Sequence, residues 1–253
     1  MEESTAMAYP RLKRAPIVEG LLHFQVKSRP DISIEDVARF TSAVKQQYPI
    51  QKDLRTFQAA FKMDEGEMSS KTIASEHIGY RLERSQPPFV LIAQRSEIGI
   101  SRLAPYETWE QLIAEARPLW DTYRNICGPE AVTRIATRFI NRVELPMEGL
   151  DFDHYLAAPA SLPKGLPELI SSFFVRTVVT DPKSGSSIAV SQILEAPNLE
   201  KNRVPILIDI DVYKVVDFAP DSDEIWKLFD TMRDLKNCAF FGCLTSKALE
   251  MFE

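Results

Sequence analysis

Apolar and polar residues alternate with a period of two over much of this chain, and in three longer stretches the apolar positions change to helical spacing. Alternate side chains of a strand point to opposite faces, whereas residues three and four apart share one side of a helix. Residues 16–26 set Val18, Leu22, Phe24 and Val26 against Glu19, Leu21, His23 and Gln25, a first strand carrying a carboxylate. Ser33 then stands where a helix N-cap belongs. Ile34, Val37, Phe40, Val44 and Tyr48 follow at helical spacing until Pro49 ends the run. Strands are predicted at 55–63, 78–85, 88–95 and 98–103, the last three as a meander, and the polar stretch 64–77 predicts a mobile loop.

Pro105 opens a second predicted helix with Trp109, Leu112, Ala116, Leu119, Trp120 and Tyr123 on its stripe; Pro118 predicts a kink and Gly128-Pro129 a stop. A long strand at 133–146 comes next. The loop-rich region beyond it carries short helical pieces at 152–156 and 167–170. Strands at 171–180 and 187–196 flank a hairpin turn, Asp181-Pro-Lys-Ser-Gly-Ser-Ser187, and a further strand spans 204–216. Ile225, Leu228, Phe229, Met232 and Leu235 mark a third helix, and a short one starts from Thr245.

Strand, helix, antiparallel strands, helix thus occurs in 16–128 and again in 131–253. Ala104-Pro-Tyr-Glu-Thr-Trp109 and Ala219-Pro-Asp-Ser-Asp-Glu-Ile-Trp226 echo each other, which points to an internal duplication. No linker separates the halves, so a single domain over 1–253 is expected, with 1–15 as a loose arm. The fold class is α+β: one extensive antiparallel sheet with amphipathic helices on one face.

Composition narrows the function classes. A 45% hydrophobic and 26% charged chain of 253 residues has the balance of an ordinary globular protein. A net charge of −6 argues against a protein that coats duplex DNA and makes nucleic acid an unlikely main ligand. The acidic N-terminus lacks the apolar core of a secretory signal and no apolar run is long enough to span a membrane, so the expected place is the cytoplasm. Cys127, Cys238 and Cys243 are expected to be free buried thiols. Neither they nor the scattered His23, His77 and His154 have metal-site spacing, so no metal and no cofactor is expected.

The strand at 133–146 is the candidate for chemistry. Arg134, Arg138 and Arg142 share one face, about 13 Å between neighbours at ~3.3 Å per residue. Ile135, Thr137, Phe139, Asn141 and Val143 take the other, mostly a core face. Three like charges in a row call for anions. The strand Leu207-Ile-Asp-Ile-Asp-Val-Tyr213 places Asp209 and Asp211 on one face, and Glu19 adds a third strand carboxylate. These groups can form a structural charge lattice, an anion site at Arg134, Arg138, Arg142 and Asn141, or an acid/base or metal site at Glu19, Asp209 and Asp211. No glycine-rich phosphate loop, nucleophile elbow or zinc-protease motif is present, and no catalytic residue is assigned.

Ala15-Pro-Ile-Val-Glu19, Tyr106-Glu-Thr-Trp109, the arginine strand and Leu207-Ile-Asp-Ile-Asp-Val together resemble a sporadically distributed family of uncharacterised bacterial and archaeal proteins of similar length. The resemblance covers nearly the whole chain and implies Glu19, Arg134, Arg138, Asn141, Arg142, Asp209 and Asp211 as positions of interest. It brings no activity. Its patchy distribution implies accessory or mobile-locus genes, such as toxin–antitoxin or phage-defence components. A weaker likeness is to triphosphate-tunnel enzymes, whose first strand alternates two glutamates and a lysine. Here those positions read Glu19, Leu21 and His23, so that motif is broken.

The expectation is therefore a non-catalytic binding or regulatory protein with a protein partner. A phosphate- or nucleotide-binding protein, or a metal-dependent phosphohydrolase, built on the arginine face is the alternative. For docking a basic partner, the acidic runs Asp64-Glu-Gly-Glu67, with Met68 beside it, and Asp221-Ser-Asp-Glu224 are the candidates, the first carrying the weight.

Overall fold

In the computed structural model residues 9–64, 67–167 and 169–253 are described, the stretch 58–74 by its backbone alone. The strands are β1 (Ile17–Lys27), β2 (Ile50–Asp64), β3 (Glu67–Ser85), β4 (Pro88–Gln94), β5 (Glu97–Leu103), β6 (Ala131–Pro146), β7 (Phe174–Thr180), β8 (Ser187–Leu194) and β9 (Arg203–Phe218). The helices are α1 (Ile34–Ala43), α2 (Trp109–Cys127), α3 (Glu224–Cys243) and α4 (Ser246–Glu250). All nine strands join one antiparallel sheet in the order β2-β3-β4-β5-β1-β6-β9-β8-β7.

Register puts the core on one face. Leu22 pairs with Ile100 on one side and Thr137 on the other, and Thr137 pairs with Val212. Leu22, Ile100 and Val212 and their period-two neighbours Phe24, Ile135, Phe139, Ile208 and Ile210 are buried in one contiguous cluster with Phe40, Trp120, Tyr123 and Phe229 of the helices, and Thr137 is buried among them. Phe24 stacks on Trp120 at 4.5 Å and meets Phe229 edge-on at 5.1 Å, which ties helices of both halves to the central strand. No helix among the described residues is long and apolar enough to cross a membrane.

Capping follows the expected chemistry. Ser33 and Asp36 form a capping box at α1, and Gly128 ends α2 in the left-handed region at φ 57°. Pro105 does not open the second helix: Thr108 accepts from the Gln111 amide, and the helix begins at Trp109. Residues 152–154 form a 3-10 turn, but of 167–170 the described residues 167, 169 and 170 are not helical.

The expected loop at 64–77 is mostly strand. β2 and β3 pair from Ile50↔Glu83 to Asp64↔Glu67, while β4 meets β3 only between Gly79 and Ser85, so the remainder is a two-stranded ribbon. The stretch carries few apolar residues and no period-two alternation, and it therefore reads as loop from the sequence. The acidic docking run falls here. Glu65 and Gly66 lie outside the described residues, as do the side chains of Asp64, Glu67 and Met68.

Residues 1–8 of the expected arm also lie outside the described residues, but from Tyr9 onward the segment is docked. Tyr9 stacks on Phe241 at 4.8 Å, and Arg14 bonds through its amide to the Phe252 carbonyl at 3.0 Å. Of the three free cysteines Cys127 and Cys243 are buried, but Cys238 is exposed. β1 and β6 lie side by side at the centre, each followed outward by the last strand of its own half. The halves nonetheless differ by one strand, and where β1 leads into α1, β6 leads into the 3-10 turn and loop.

Candidate functional site

The face away from the helices carries the arginines. Leu21 lies opposite Arg138, Arg138 opposite Asp211, and Asp211 opposite Ala189, so a row of side chains crosses four strands. The guanidinium of Arg138 reaches diagonally to Asp209, with Nε donating to Oδ1 at 2.8 Å and Nη2 to Oδ2 at 2.6 Å. Arg134 lies over the Tyr213 ring at 4.7 Å, with Nη2 3.7 Å from Asp211. Arg142 is held elsewhere, by Glu195 at 2.7 Å and by Glu144.

With Arg142 apart, the remaining candidates separate into three groups. Arg134, Arg138, Asp209 and Asp211 come together. Glu19 shares their face, opposite Ile140 and Leu103, and acts on Arg138 through its charge rather than through a bond. Asn141 is on the opposite, helix-covered face, buried, with Nδ2 donating to the Ile208 carbonyl at 3.0 Å. It cannot join an anion site with the arginines, because odd-numbered residues of β6 point away from them.

Electrostatics divide the two aspartates. Burial pushes the Asp211 carboxyl up from its ordinary value, against the pull of Arg134 and Arg138, and the charge on Asp209 pushes the same way. Arg138 is raised, first by its bond to Asp209. A cleft of about 410 Å³ opens beside the pair, lined by Arg138, Phe174, Arg176, Ser191, Asp209 and Asp211.

No family model matches the chain, and no curated protein does. The geometry alone carries the assignment.

Two partners were not among the sequence candidates. His23 accepts or donates at both ring nitrogens, 3.2 Å from Glu97 and 3.5 Å from Arg134, and Glu97 also receives Gln94 Nε2 at 2.5 Å. The bond to His23 holds the Glu97 carboxyl below its ordinary range. A network thus runs Gln94–Glu97–His23–Arg134–Asp211 across the sheet centre. The alternation in β1 had put His23 on the correct face, but only the pairing of β1 with β5 reveals Glu97. Among the described residues no cluster of three His, Cys, Asp or Glu has the arrangement a metal ion needs.

Beside this lattice lies β7, an edge strand with one neighbour. Phe174, Val178 and Val179 are 64%, 50% and 51% exposed, although the first two point to the open face and the third to the other. The connection leading to it exposes Leu162, Leu166 and Leu169 and borders an apolar groove with Met147, Phe152 and Leu194. The opposite edge, β2, exposes Lys52, Asp53 and Arg55 together with Ile50 and Phe57, which are 43% and 67% exposed. Charges on an edge discourage pairing with other chains, and apolar residues invite it.

Proposed function

We propose that the protein works by binding, and that it takes an extended segment of a protein partner along β7 and the open sheet face beside it. The carrying observation is the composition of β7, which presents Phe174, Val178 and Val179 with Arg176 as its one charge, whereas β2 sets Lys52, Asp53 and Arg55 among its exposed Ile50 and Phe57. An added strand would gain main-chain hydrogen bonds from the free edge and side-chain contacts with Phe174 and Val178. Exposed apolar surface of this kind marks interaction sites in folded proteins. The arginines fit the same reading, because Arg138 and Arg142 are already committed to carboxylates and Arg134 faces one. A regulatory role in a mobile bacterial locus, as antitoxin-like partner or phage-defence accessory, is the setting the family resemblance suggests.

The second reading is anion binding in the 410 Å³ cleft, where Arg176 joins Arg138. It requires a ligand to displace Asp209 from a two-point bond, and the first reading does not. Affinity capture from a bacterial lysate with the native chain and with Phe174→Lys plus Val178→Lys tests the choice. A partner captured by the native chain and lost with the double variant supports edge pairing. A partner retained equally by both overturns it.

A further inference from the structure

On the helix side of the sheet, remote from the arginine face, a cavity of about 230 Å³ lies between the segment leading into β1, the start of α2 and the body of α3. Its walls are aromatic: Tyr9, Tyr106, Trp109, Phe139, Phe240 and Phe241. Two polar groups inside it are buried without a hydrogen-bond partner among the described residues. Lys236 is 9% exposed and holds its ammonium nitrogen 3.8 Å from the centre of the Phe139 ring. The Tyr106 hydroxyl is buried with no hydrogen-bond partner.

The carboxylates around the cavity are paired. Glu110 pairs with Arg233 at 3.0 Å, and Glu107 takes Gln111 at 2.7 Å and Arg102 at 3.5 Å. Asp230, one turn before Arg233 and Asp234 on α3, accepts from the Trp109 indole at 3.2 Å. Arg233 is a second cation at the wall, and Arg11 approaches from the N-terminal segment. Among the described residues Lys236 is thus a cation without a counter-ion, in the same cavity as an unused hydroxyl donor and aromatic walls. Burying a charge unpaired is costly, and burial together with Arg233 brings the Lys236 pKa down to about 7.

We propose that this cavity binds a small aromatic carboxylate, its ring between the aromatic walls and its carboxylate on Lys236 Nζ and the Tyr106 hydroxyl. The size is suitable, since an apolar cavity of about 150 Å³ already takes up benzene. The anion supplies the counter-charge that Lys236 lacks and accepts a hydrogen bond from the Tyr106 hydroxyl. This site and the β7 edge lie on different surfaces, so either can fail without the other.

Benzoate is the probe, titrated calorimetrically into the full chain at about pH 8.5 in two buffers of different ionisation enthalpy. Lys236 is mostly neutral there and must take a proton to pair with the anion, so binding should draw close to one proton per chain from the buffer. Benzamide, which carries no charge, should bind at least about tenfold more weakly. Lys236→Met should lose benzoate binding, whereas Lys236→Arg, permanently charged, should keep it without proton uptake. Because Lys236→Met removes a buried cation, its melting is compared with the native chain. Should a variant not fold, the native chain labelled with ¹³C at the lysine ε-carbons decides, as benzoate should raise the titration of one lysine. Absence of benzoate binding, binding without proton uptake, equal affinity for benzamide, or loss of binding with Arg138→Met in place of Lys236→Met would each overturn the proposal.

Discussion

Arg138 bypasses the residue directly across from it. Its register partner on β9 is Asp211, yet both of its bonds go to Asp209, two residues further along on the same face. Asp211 is left between two arginines and a like charge, half-buried, with Arg134 approaching to 3.7 Å. The three arginine charges read from the sequence are thus met by protein carboxylates, two of them on β9 and the others at Glu144 and Glu195.

A double-mutant cycle on Arg138→Met and Asp209→Asn should return a coupling of about 1 kcal/mol in chemical denaturation. The two-point geometry favours a larger value, but Arg138 is about half exposed and solvent screens it. A coupling near zero would show that the fork is not formed in solution.

Magnesium with nucleoside triphosphate should give no phosphate release above a buffer control. Asp209 is held by Arg138, and His23 stands where the tunnel enzymes carry a lysine. Release that disappears in Asp209→Asn would contradict this and restore the enzyme reading.

Stability should rise with pH between about 7 and 9. Lys236 has a folded pKa of about 7 against an ordinary 10.5, so in this window the unfolded chain binds the extra proton. One proton corresponds to about 1.4 kcal/mol per pH unit. Below pH 7 the folded chain binds the proton as well and the slope vanishes. Above about 9 the raised thiol of Cys127, pushed up to about 12, begins to oppose the trend. Denaturation of Lys236→Met over the same window should show a flatter profile, and an unchanged slope would place the titration elsewhere.

Much of the sheet was legible because one face is buried. Alternation in β1, β6 and β9 separates Phe24, Phe139 and Ile210 from His23, Arg138 and Asp209, and the register confirms that separation. The same rule already set Asn141 against the arginines, and its two backbone-directed bonds make it a satisfied core amide. What pattern cannot give is which strands become neighbours, and so Glu97 beside His23 was invisible. Lys236 did leave a signal. It falls on the stripe Phe229, Met232, Lys236, Phe240, Cys243, where a lysine at a core position marks a buried charge. The ribbon at 64–77 left none, since its sequence carries no apolar period.

Hydrogen exchange at β7 tests the central claim most directly, with the partner recovered by affinity capture present and absent. A partner strand on the free edge should slow exchange of backbone amides within 174–180 and leave the amides of α1 and α2 unchanged. The Phe174→Lys, Val178→Lys chain should show no such protection. Protection confined to the helices, with the β7 amides exchanging as in the free protein, would contradict the account.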